Sequence, residues 1–481
     1  MTQTQSPEQQ ETAAVSTLTE PVDGPNAAAC EPETTVRPLF TRKALAKLIV
    51  PLVFEQLLAV TVGMADTMMV STSGQAAVSG ISLVDQINVL LIQIFAALAT
   101  GGAVVASQYL GRQERDNACT AAKQLLYAST GMAVAICILA IIGNRWILRL
   151  VFGSVDPLVM EAAETYFWLS ALSYPFLAIY NAGAALYRSM GNSAVSLFAS
   201  FLMNVINIGG NAVLIYGFGM GVAGAATASL VSRAAAAVVM LLLLRNPSNP
   251  IFLRDLHHIS FHRDMVRSIL RVGIPNGLEN GMFQIGKLLV AGMVSTYGLA
   301  AITANAIGGN IGSLTNVPGT AIGLAMVTVV GQCMGAKDYR QARSYTFKLM
   351  GLSYLSMGVL NALLMALVVP IVGLYQVPAE TGDLAIKILL FCCSCTIVFW
   401  PLSFTLPNAL RAAGDARFTM TASMISMWTC RVGLSYVLGT VFGMGVFGVW
   451  VAMVADWIVR DLLFTVRFLR GRWQKKRVID G

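Results

Sequence analysis

Two carboxylates lie in one long apolar stretch, and their spacing is the first indication of chemistry in the chain. The stretch runs from Leu48 to Ser71 and carries Glu55 and Asp66, eleven residues apart. This separation is about three helical turns plus 20°, so both side chains lie on one face, about 16 Å apart along the axis. Acids at membrane depth are costly and usually face an interior cavity. We therefore expect both carboxylates to line one cavity.

A second polar set repeats at helical spacing further along the chain. Asn204, Asn207 and Asn211 are spaced i, i+3 and i+7, which places them in one stripe. Amide oxygens are neutral ligands suited to a hard cation beside one carboxylate. Amides in a bilayer also hydrogen-bond to neighbouring helices. The spacing alone fits both interpretations.

A third set combines amides with a lysine. Asn280, Gln284 and Lys287 form one stripe, and Glu279 lies about 80° from Lys287, two turns earlier. A buried lysine is most easily accommodated beside an acid, so we expect Lys287 to pair with Glu279 or with an acid of the other half. A purely structural ion pair is the alternative, because such pairs are a usual way to hold charges in a membrane.

Further charges lie in the later apolar segments. We expect five charged side chains to neutralise one another: Arg233, Arg431, Asp456, Arg460 and Asp461. Of these, Arg460 and Asp461 are expected near the cytoplasmic end of their helix, at the membrane interface.

The elements that hold these residues are long apolar helices. Of the 481 residues, 56% are hydrophobic and only 12% are charged, far outside the range of soluble proteins. A spanning helix needs about 20 apolar residues. The sequence predicts twelve such segments, at about 47–71, 83–106, 121–143, 161–187, 193–216, 221–244, 265–297, 305–331, 344–373, 383–410, 417–441 and 445–468.

Basic residues gather at alternate connections between these segments. The positive-inside rule then places both termini in the cytoplasm, with the chain in the cell (inner) membrane. The net charge of +8 therefore reflects topology and not a nucleic-acid surface.

An internal repeat divides the chain into two halves. At an offset of 224 residues, Pro51 matches Pro275, Glu55 matches Glu279 and Gln108 matches Gln332, whereas Asp66 matches Val290. Two six-helix halves in the same orientation are typical of parallel-repeat transporters. The predicted domains are a disordered cytoplasmic tail (1–38), an N-terminal lobe (39–244), a cytoplasmic linker (245–263), a C-terminal lobe (264–470) and a basic cytoplasmic tail (471–481).

In each half, one copy of a repeated segment follows the second span. Residues 108–115 and 332–339 each place glycine and mixed charge just past a span. Such a segment is a helix C-cap followed by a solvated turn, or a contact that locks the inward gate. The eighth segment, 305–331, is interrupted by several glycines and Pro318, which favours a bent helix that lines a cavity.

These features together resemble the multidrug and toxic compound extrusion (MATE) family over about residues 40–470. The resemblance lies in IVPLVFEQ followed by MADTMMVS in the first span, the Gln-x-x-Gly loop after the second, and the Arg-x-x-Gly-Asn/Asp loop after the fourth. The chain looks closer to the prokaryotic DinF-like branch than to the NorM-like branch. The resemblance implies an antiporter that exports amphipathic, often cationic compounds against inward H⁺ or Na⁺.

The same resemblance implies a site for the coupling ion. Asp66 falls at the family's first-helix acid, and Asn207 and Asn211 fall where members often carry Asn and Asp in the fifth helix. Ser229 falls where a sixth-helix Thr is frequent. Here Asn211 replaces the second acid, and Phe283 stands where NorM-like members carry a seventh-helix Glu. We therefore expect ion coupling mainly in the N-terminal lobe.

The sequence thus predicts an all-α polytopic membrane protein with twelve transmembrane helices in two pseudo-symmetric six-helix lobes. We expect a monomer that is not an enzyme, because the spans contain no His. We expect no cofactor, no nucleic-acid partner, contact with membrane lipid, and no metal beyond a possible Na⁺. The ion-coupling prediction comprises Asp66, Asn207, Asn211 and Ser229. The substrate-binding prediction, for a small molecule and most simply an organic cation, comprises Glu55, Asn204, Glu279, Asn280, Gln284 and Lys287.

Three other classes of function stay open. A lipid-linked glycan flippase of a related fold would use Lys287, Arg233 and Arg431 as a basic cavity for pyrophosphate. A membrane enzyme would need a juxtamembrane catalytic cluster. A receptor or scaffold has no obvious use for a two-fold repeat with interior charges.

Overall fold

A computed structural model describes residues 38–71, 74–153, 155–254 and 260–479, without the side chains of residues 64–67 and 71. The predicted disordered tail therefore lies, apart from Pro38, outside the described residues. The side chain of Asp66 also lies outside the described part of the chain. All regular elements of the described residues are helical.

The first half contains six long helices. They are α1 (Arg42–Ser71), α2 (Gln75–Gly111), α3 (Arg115–Phe152), α4 (Pro157–Ser189), α5 (Ser193–Asn211, extended by a π-helical turn Ala212–Gly217) and α6 (Gly221–Leu244). Each covers one segment predicted from the sequence. Pro51 lies inside α1, so the first span continues through its proline.

The second half follows the same order with more interruptions. It contains α7 (Arg263–Ser295), α8 (Leu299–Thr315), α9 (Val317–Gly335), α10 (Tyr339–Ala366), α11 (Val368–Gly373), α12 (Ala379–Trp400), α13 (Leu406–Ala412), α14 (Ala416–Ser426) and α15 (Gly445–Leu469). A π-helical turn Pro401–Thr405 joins α12 to α13, and two more, Met427–Leu434 and Val437–Val441, extend α14. The predicted interruption of the eighth segment is the break at Asn316, between α8 and α9.

Nine helices of the described residues are long and apolar enough to cross a membrane. The three remaining predicted segments are α7, α14 with its π-helical turns, and α15. Charged side chains interrupt their apolar sequences, as Glu279, Lys287 and Asp456 illustrate. Polar groups inside a long helix are therefore the reason that composition alone undercounts the spans.

Helix α5 shows how the bundle is adapted to lipid. Its buried face is polar and runs through Ser196, Ser200, Asn204 and Asn207, at intervals of four, four and three residues. Its outward face is apolar, with Phe198 56% and Phe201 55% exposed. This is the reverse of a soluble amphipathic helix, and it places polar groups only where protein can satisfy them.

The two halves meet mainly along α2, which packs against α7 and α9, and along α1, which packs against α9. The start of α1 and the ends of α2, α4, α9 and α13 gather at one end of the bundle, which we call the basic side. There Arg115 donates to the carbonyl oxygens of Pro247 and Asn249 at 2.7 and 2.6 Å. On the same side, Arg467 binds Asp415 at 2.7 Å.

Candidate functional site

The predicted coupling residues that are described lie on the facing sides of α5 and α6. Asn207 is 6% exposed, and its Nδ2 donates to Ser229 Oγ at 3.1 Å. Asn211 is buried one turn further on, at 2% exposed. Helix α1, which carries Asp66, packs against α5. The structure thus brings Asn207 and Ser229 together, and amide and hydroxyl oxygens are ligand types that suit a small hard cation.

Asn204 lies nearer the basic side than the other two amides. Its Nδ2 is 3.5 Å from Ser200 Oγ, and the residue is 9% exposed. This contact lies within α5 itself. The predicted substrate role for Asn204 stays a prediction.

A neighbouring polar network in α2 and α4 was not predicted. Tyr174 donates to Asn88 Oδ1 at 2.8 Å, and Asn88 Nδ2 donates to Asp85 Oδ1 at 3.2 Å. Asp85 also lines a cavity of about 690 Å³ between α2, α3 and α7, which Lys287 lines as well. The signal was present in the sequence, since Asp85 is an acid inside the second apolar segment.

Glu55 is held by an arginine and a serine. Arg188 Nη1, from the end of α4, lies 3.3 Å from Glu55 Oε1, and Ser196 of α5 donates to Oε2 at 2.6 Å. The carboxylate is 7% exposed. Its charge is therefore compensated within the first half.

Glu279 is held in the same way in the second half. Arg411 Nη2, from the end of α13, lies 2.7 Å from Glu279 Oε1, and Ser423 of α14 donates to the same oxygen at 2.7 Å. We call these two sets the Glu–Arg–Ser clusters. The partner of Glu279 is thus Arg411, so the first of the two alternatives for Lys287, a pair with Glu279, is wrong. Lys287 lies on the same helix as Glu279, about 80° around it, whereas Arg411 approaches from another helix.

Both arginines were visible in the sequence only as members of the Arg-x-x-Gly loops. Each lies 133 or 132 residues from its glutamate, so no local spacing joins them. The usable signal was the repeat, because the glutamates and the arginines recur together.

The interior charges of α15 form a compact cluster. Arg460 Nε binds Asp456 Oδ1 at 3.0 Å, and Arg431 Nη1 lies 4.0 Å from Asp456 Oδ2. The predicted contact is observed for these three residues, with the single carboxylate of Asp456 close to Arg460 and farther from Arg431. Arg460 is 2% exposed and Asp461, which accepts from Ser403 at 2.6 Å, is 7% exposed. Hydrogen-bonding partners inside the lobe therefore accommodate both residues, and their expected depth at the membrane interface stays a prediction.

The second half encloses a cavity of about 610 Å³, which we call the aromatic cavity. Its wall includes Phe283, Lys287, Arg431, Trp400, Trp450 and Trp457. A smaller cavity of about 350 Å³ shares Phe283 with it and is lined by the predicted residues Glu279, Asn280 and Gln284. The structure thus brings these three and Lys287 to adjoining cavities.

The three cations of the flippase alternative do not share this wall. Arg233 lies in the first half, where its Nη1 donates to Ser173 Oγ at 2.6 Å. Lys287 and Arg431 line the aromatic cavity, and Arg233 is absent from its described lining.

The two halves close against each other on the basic side. Gln108 Nε2 donates to the carbonyl oxygen of Ala412 at 2.8 Å, and Gln332 Nε2 donates to the carbonyl oxygen of Ser189, also at 2.8 Å. A Cβ added to Gly111 would collide with the carbonyl oxygen of Gln332. We call this set the reciprocal contact. It shows that the repeated segments do more than cap helices, since each half binds the other.

Twelve membrane segments in two repeated halves, with polar residues at the centre, define a membrane transporter and not an enzyme. A family model confirms this assignment. MatE matches residues 51–213 and again residues 275–437, at the offset of 224 found in the sequence. The chain belongs to the MATE family.

Curated relatives match along nearly the whole chain. The uncharacterized transporter YisQ of Bacillus subtilis is 28% identical over 90% of this chain and 95% of its own length. The probable multidrug resistance protein NorM of Thermotoga maritima is 27% identical over 91% and 94%. The branch within the family stays a prediction.

Solved structures show the same fold. An outward-facing MATE family multidrug resistance transporter superposes with a TM-score of 0.84 at 20% identity, covering 90% of this chain and 97% of that one. A MATE in the bent conformation superposes with a TM-score of 0.83 at 20% identity, covering 91% and 96%. The twelve-helix, two-lobe fold is therefore confirmed.

Proposed function

We propose that this transporter exports amphipathic small molecules in exchange for H⁺ or Na⁺. The names of several relatives, probable multidrug resistance proteins, support export of small molecules. One chain contributes both halves and every cavity described above, which supports action as a monomer. The proposal assigns no further cofactor.

The coupling ion binds, in this proposal, at Asp66, Asn207, Asn211 and Ser229. The observation that carries the assignment is the Asn207–Ser229 hydrogen bond on the buried face of α5, beside the helix of Asp66. These groups offer one carboxylate with amide and hydroxyl oxygens, which suits a proton or Na⁺. Loading and release of the ion would follow changes in the hydration of Asp66.

The reciprocal contact supports alternating access. The basic side carries most Lys and Arg of the connections, so we take it to be cytoplasmic, with both termini, at the inner membrane. The halves are closed at that end, which corresponds to one of the two states that an alternating-access transporter needs. Transport then requires the reciprocal contact to break and reform.

The substrate path uses the adjoining cavities of the second half. Asn280, Gln284 and Lys287 keep the substrate role predicted for them, since each lines a cavity. Glu55 and Glu279 are paired with arginines, which removes the reason to expect that they attract an organic cation. We assign the two glutamates to positioning of the helices.

The test is transport in proteoliposomes under separately imposed Na⁺ and H⁺ gradients. The probes are ethidium and 2-naphthoate, one cationic and one anionic aromatic compound. We expect one gradient to drive the movement of at least one probe, and Asp66→Asn to abolish that coupling. Asp156→Asn is the matched control, because Asp156 caps α4 at its start and Asn is an equally good cap.

Two results would contradict the proposal. In the first, neither gradient changes the movement of either probe. In the second, Asp66→Asn transports at the coupled rate of the unmodified protein.

A further inference from the structure

The aromatic cavity occupies, in the second half, the place that the coupling site occupies in the first. The family model matches both halves at an offset of 224 residues. At this offset the pairs are Asp66 with Val290, Asn207 with Arg431, and Ser229 with Met453. All three second-half residues line the aromatic cavity. The equivalent position therefore exists, but valine, arginine and methionine replace its carboxylate, one of its amides and its hydroxyl, and the other amide, Asn211, corresponds to Ser435.

The same offset explains why there is room for a ligand. Asp85 and Asn88, which form a hydrogen-bonded pair in the first half, correspond to Gly309 and Gly312. Both glycines line the aromatic cavity, and a Cβ added at either would meet nothing within 4 Å. Loss of two polar side chains has left open space of ligand size.

The charge of the wall is positive. Arg460 is satisfied by Asp456 at 3.0 Å, and that carboxylate also accepts from Ser426 at 2.6 Å. Arg431 is farther from the same acid, with its Nη1 4.0 Å from Asp456 Oδ2. Among the described residues, no carboxylate lies within 4.0 Å of Lys287 Nζ. Two cations thus face the cavity with little compensation, which favours an anion from outside.

The rest of the wall offers flat apolar surfaces. Trp400 and Phe404 are stacked with ring centroids 5.0 Å apart, and Trp450 is oriented by its Nε1, which donates to Asn305 Oδ1 at 3.1 Å. The buried Nε1 of Trp457, a further wall residue, has no hydrogen-bond partner among the described residues. Indole and phenyl rings bind planar ligands, and an unpartnered N–H favours an acceptor.

We propose that the aromatic cavity binds an amphipathic organic anion, with its charged oxygens at Lys287 and Arg431 and its flat apolar body against the tryptophans. The inference rests on the proposed function, because it names the substrate class of the same exporter. It replaces the organic cation that the sequence favoured.

Calorimetric titration of the full chain in phosphatidylcholine nanodiscs tests the binding. The probes are 2-naphthoate, neutral 2-naphthamide and cationic 2-naphthylmethylammonium, which share one ring. We expect 2-naphthoate to bind about tenfold tighter than the amide, since a charge-assisted hydrogen bond adds roughly that factor. Lys287→Gln and Arg431→Gln should each remove this preference, and Lys287→Arg and Arg431→Lys should retain it.

Lys387→Gln is the matched control for the loss of one positive charge from the second half. Lys387 is exposed, lies over the ring of Phe447 and is absent from the described lining of the cavity. The Lys387→Gln variant should bind 2-naphthoate like the unmodified protein. Equal binding of naphthoate and naphthamide would overturn the inference. Tightest binding of the ammonium, or a naphthoate preference that survives both Gln variants, would overturn it as well.

The anion could be a soluble aromatic acid or the headgroup of a lipid. Nanodiscs that contain phosphatidylglycerol separate these sources. Weaker naphthoate binding there would identify a lipid headgroup as the competitor, and unchanged binding would identify a soluble acid.

Failure of this inference is distinguishable from failure of the proposed function. Gradient-driven movement of ethidium with no specific naphthoate binding would refute the anion site and keep the exporter. Specific naphthoate binding with no gradient-driven movement of either probe would refute the proposed ion-coupled export and keep the anion site.

Discussion

The two halves of this transporter share a frame but differ at the centre. Each half has a Glu–Arg–Ser cluster near the basic side, and each contributes one glutamine to the reciprocal contact. At the centre, the first half has amides, a hydroxyl and the helix of Asp66, and the second has Arg431, Lys287 and a wall of tryptophans. The repeat has thus retained what holds helices together, whereas the central groups to which we assign ligand binding have diverged.

The two halves also differ by one inserted residue near the centre of the second half. The offset is 223 residues at the Arg-x-x-Gly loops and 224 later, so the second half has gained one residue between them. The π-helical turn Met427–Leu434 lies in this interval, and a turn with i→i+5 bonds takes one more residue than an α-helical turn. Arg431 lies within it. The pairing of Asn207 with Arg431 at an offset of 224 therefore places the extra residue between positions 415 and 431.

The largest expected effect comes from breaking the shared frame. Glu279→Gln should lower the free energy of unfolding by about 3–5 kcal/mol, because it leaves Arg411 buried without its counter-charge. Glu55→Gln should cost less, since its arginine is 3.3 Å away instead of 2.7 Å and is slightly more exposed. Unfolding by SDS in detergent micelles, followed by tryptophan fluorescence, measures both. Equal losses would show that the two clusters are energetically equivalent.

A pair of substitutions at the two centres should give opposite results. Asn207→Ala should weaken the apparent affinity for the coupling ion about tenfold, the effect of losing one ligand, and leave 2-naphthoate binding unchanged. Arg431→Asn should weaken naphthoate binding by about the same factor and leave ion affinity unchanged. Ion-dependent transport and calorimetry provide the two readouts. A variant that changes both would show that the centres act as one site.

The reciprocal contact predicts two smaller and equal effects. Gln108→Ala and Gln332→Ala each remove one hydrogen bond between the halves, worth about 1 kcal/mol, which should shift the population away from the closed basic side about fivefold. Spin labels at Asn117 and Arg340, exposed residues of different halves, report the distance across this side in a background without native cysteines. Unequal shifts would show that one glutamine carries the contact.

The smallest effect should come from Trp450→Phe. The substitution keeps an aromatic ring in the wall but removes the hydrogen bond to Asn305, so unfolding should become easier by about 1 kcal/mol. Naphthoate binding should change less than twofold. Thermal unfolding and calorimetry measure the two quantities, and a large loss of binding would mean that the indole N–H contacts the ligand.

Much of the fold followed from the sequence because hydropathy and the repeat act over long ranges. All twelve segments, the interrupted eighth segment and the two halves were predictable from apolar length and from the 224-residue offset. Side-chain partners were not. Glu279 and Lys287 looked like a pair because they are close in sequence, whereas the observed partner is 132 residues away.

The candidate site was predictable by residue type and less so by role. Asn207 and Ser229 were grouped correctly, since resemblance to a family carries spatial information that spacing lacks. Asp85 was missed although it is an acid in an apolar segment, and the aromatic cavity was missed because its tryptophans come from α12 and α15, far apart in sequence.

The reciprocal contact has a consequence for the origin of the molecule. In it, each half supplies one amide donor and one carbonyl acceptor, and the glycines at positions 111 and 335 pack in the same mutual way. Such self-complementary pairing is the isologous interface of a two-fold homodimer. A six-helix ancestor would have carried both partners of this interface on one surface, and gene duplication would have fused the dimer without the need for any new contact.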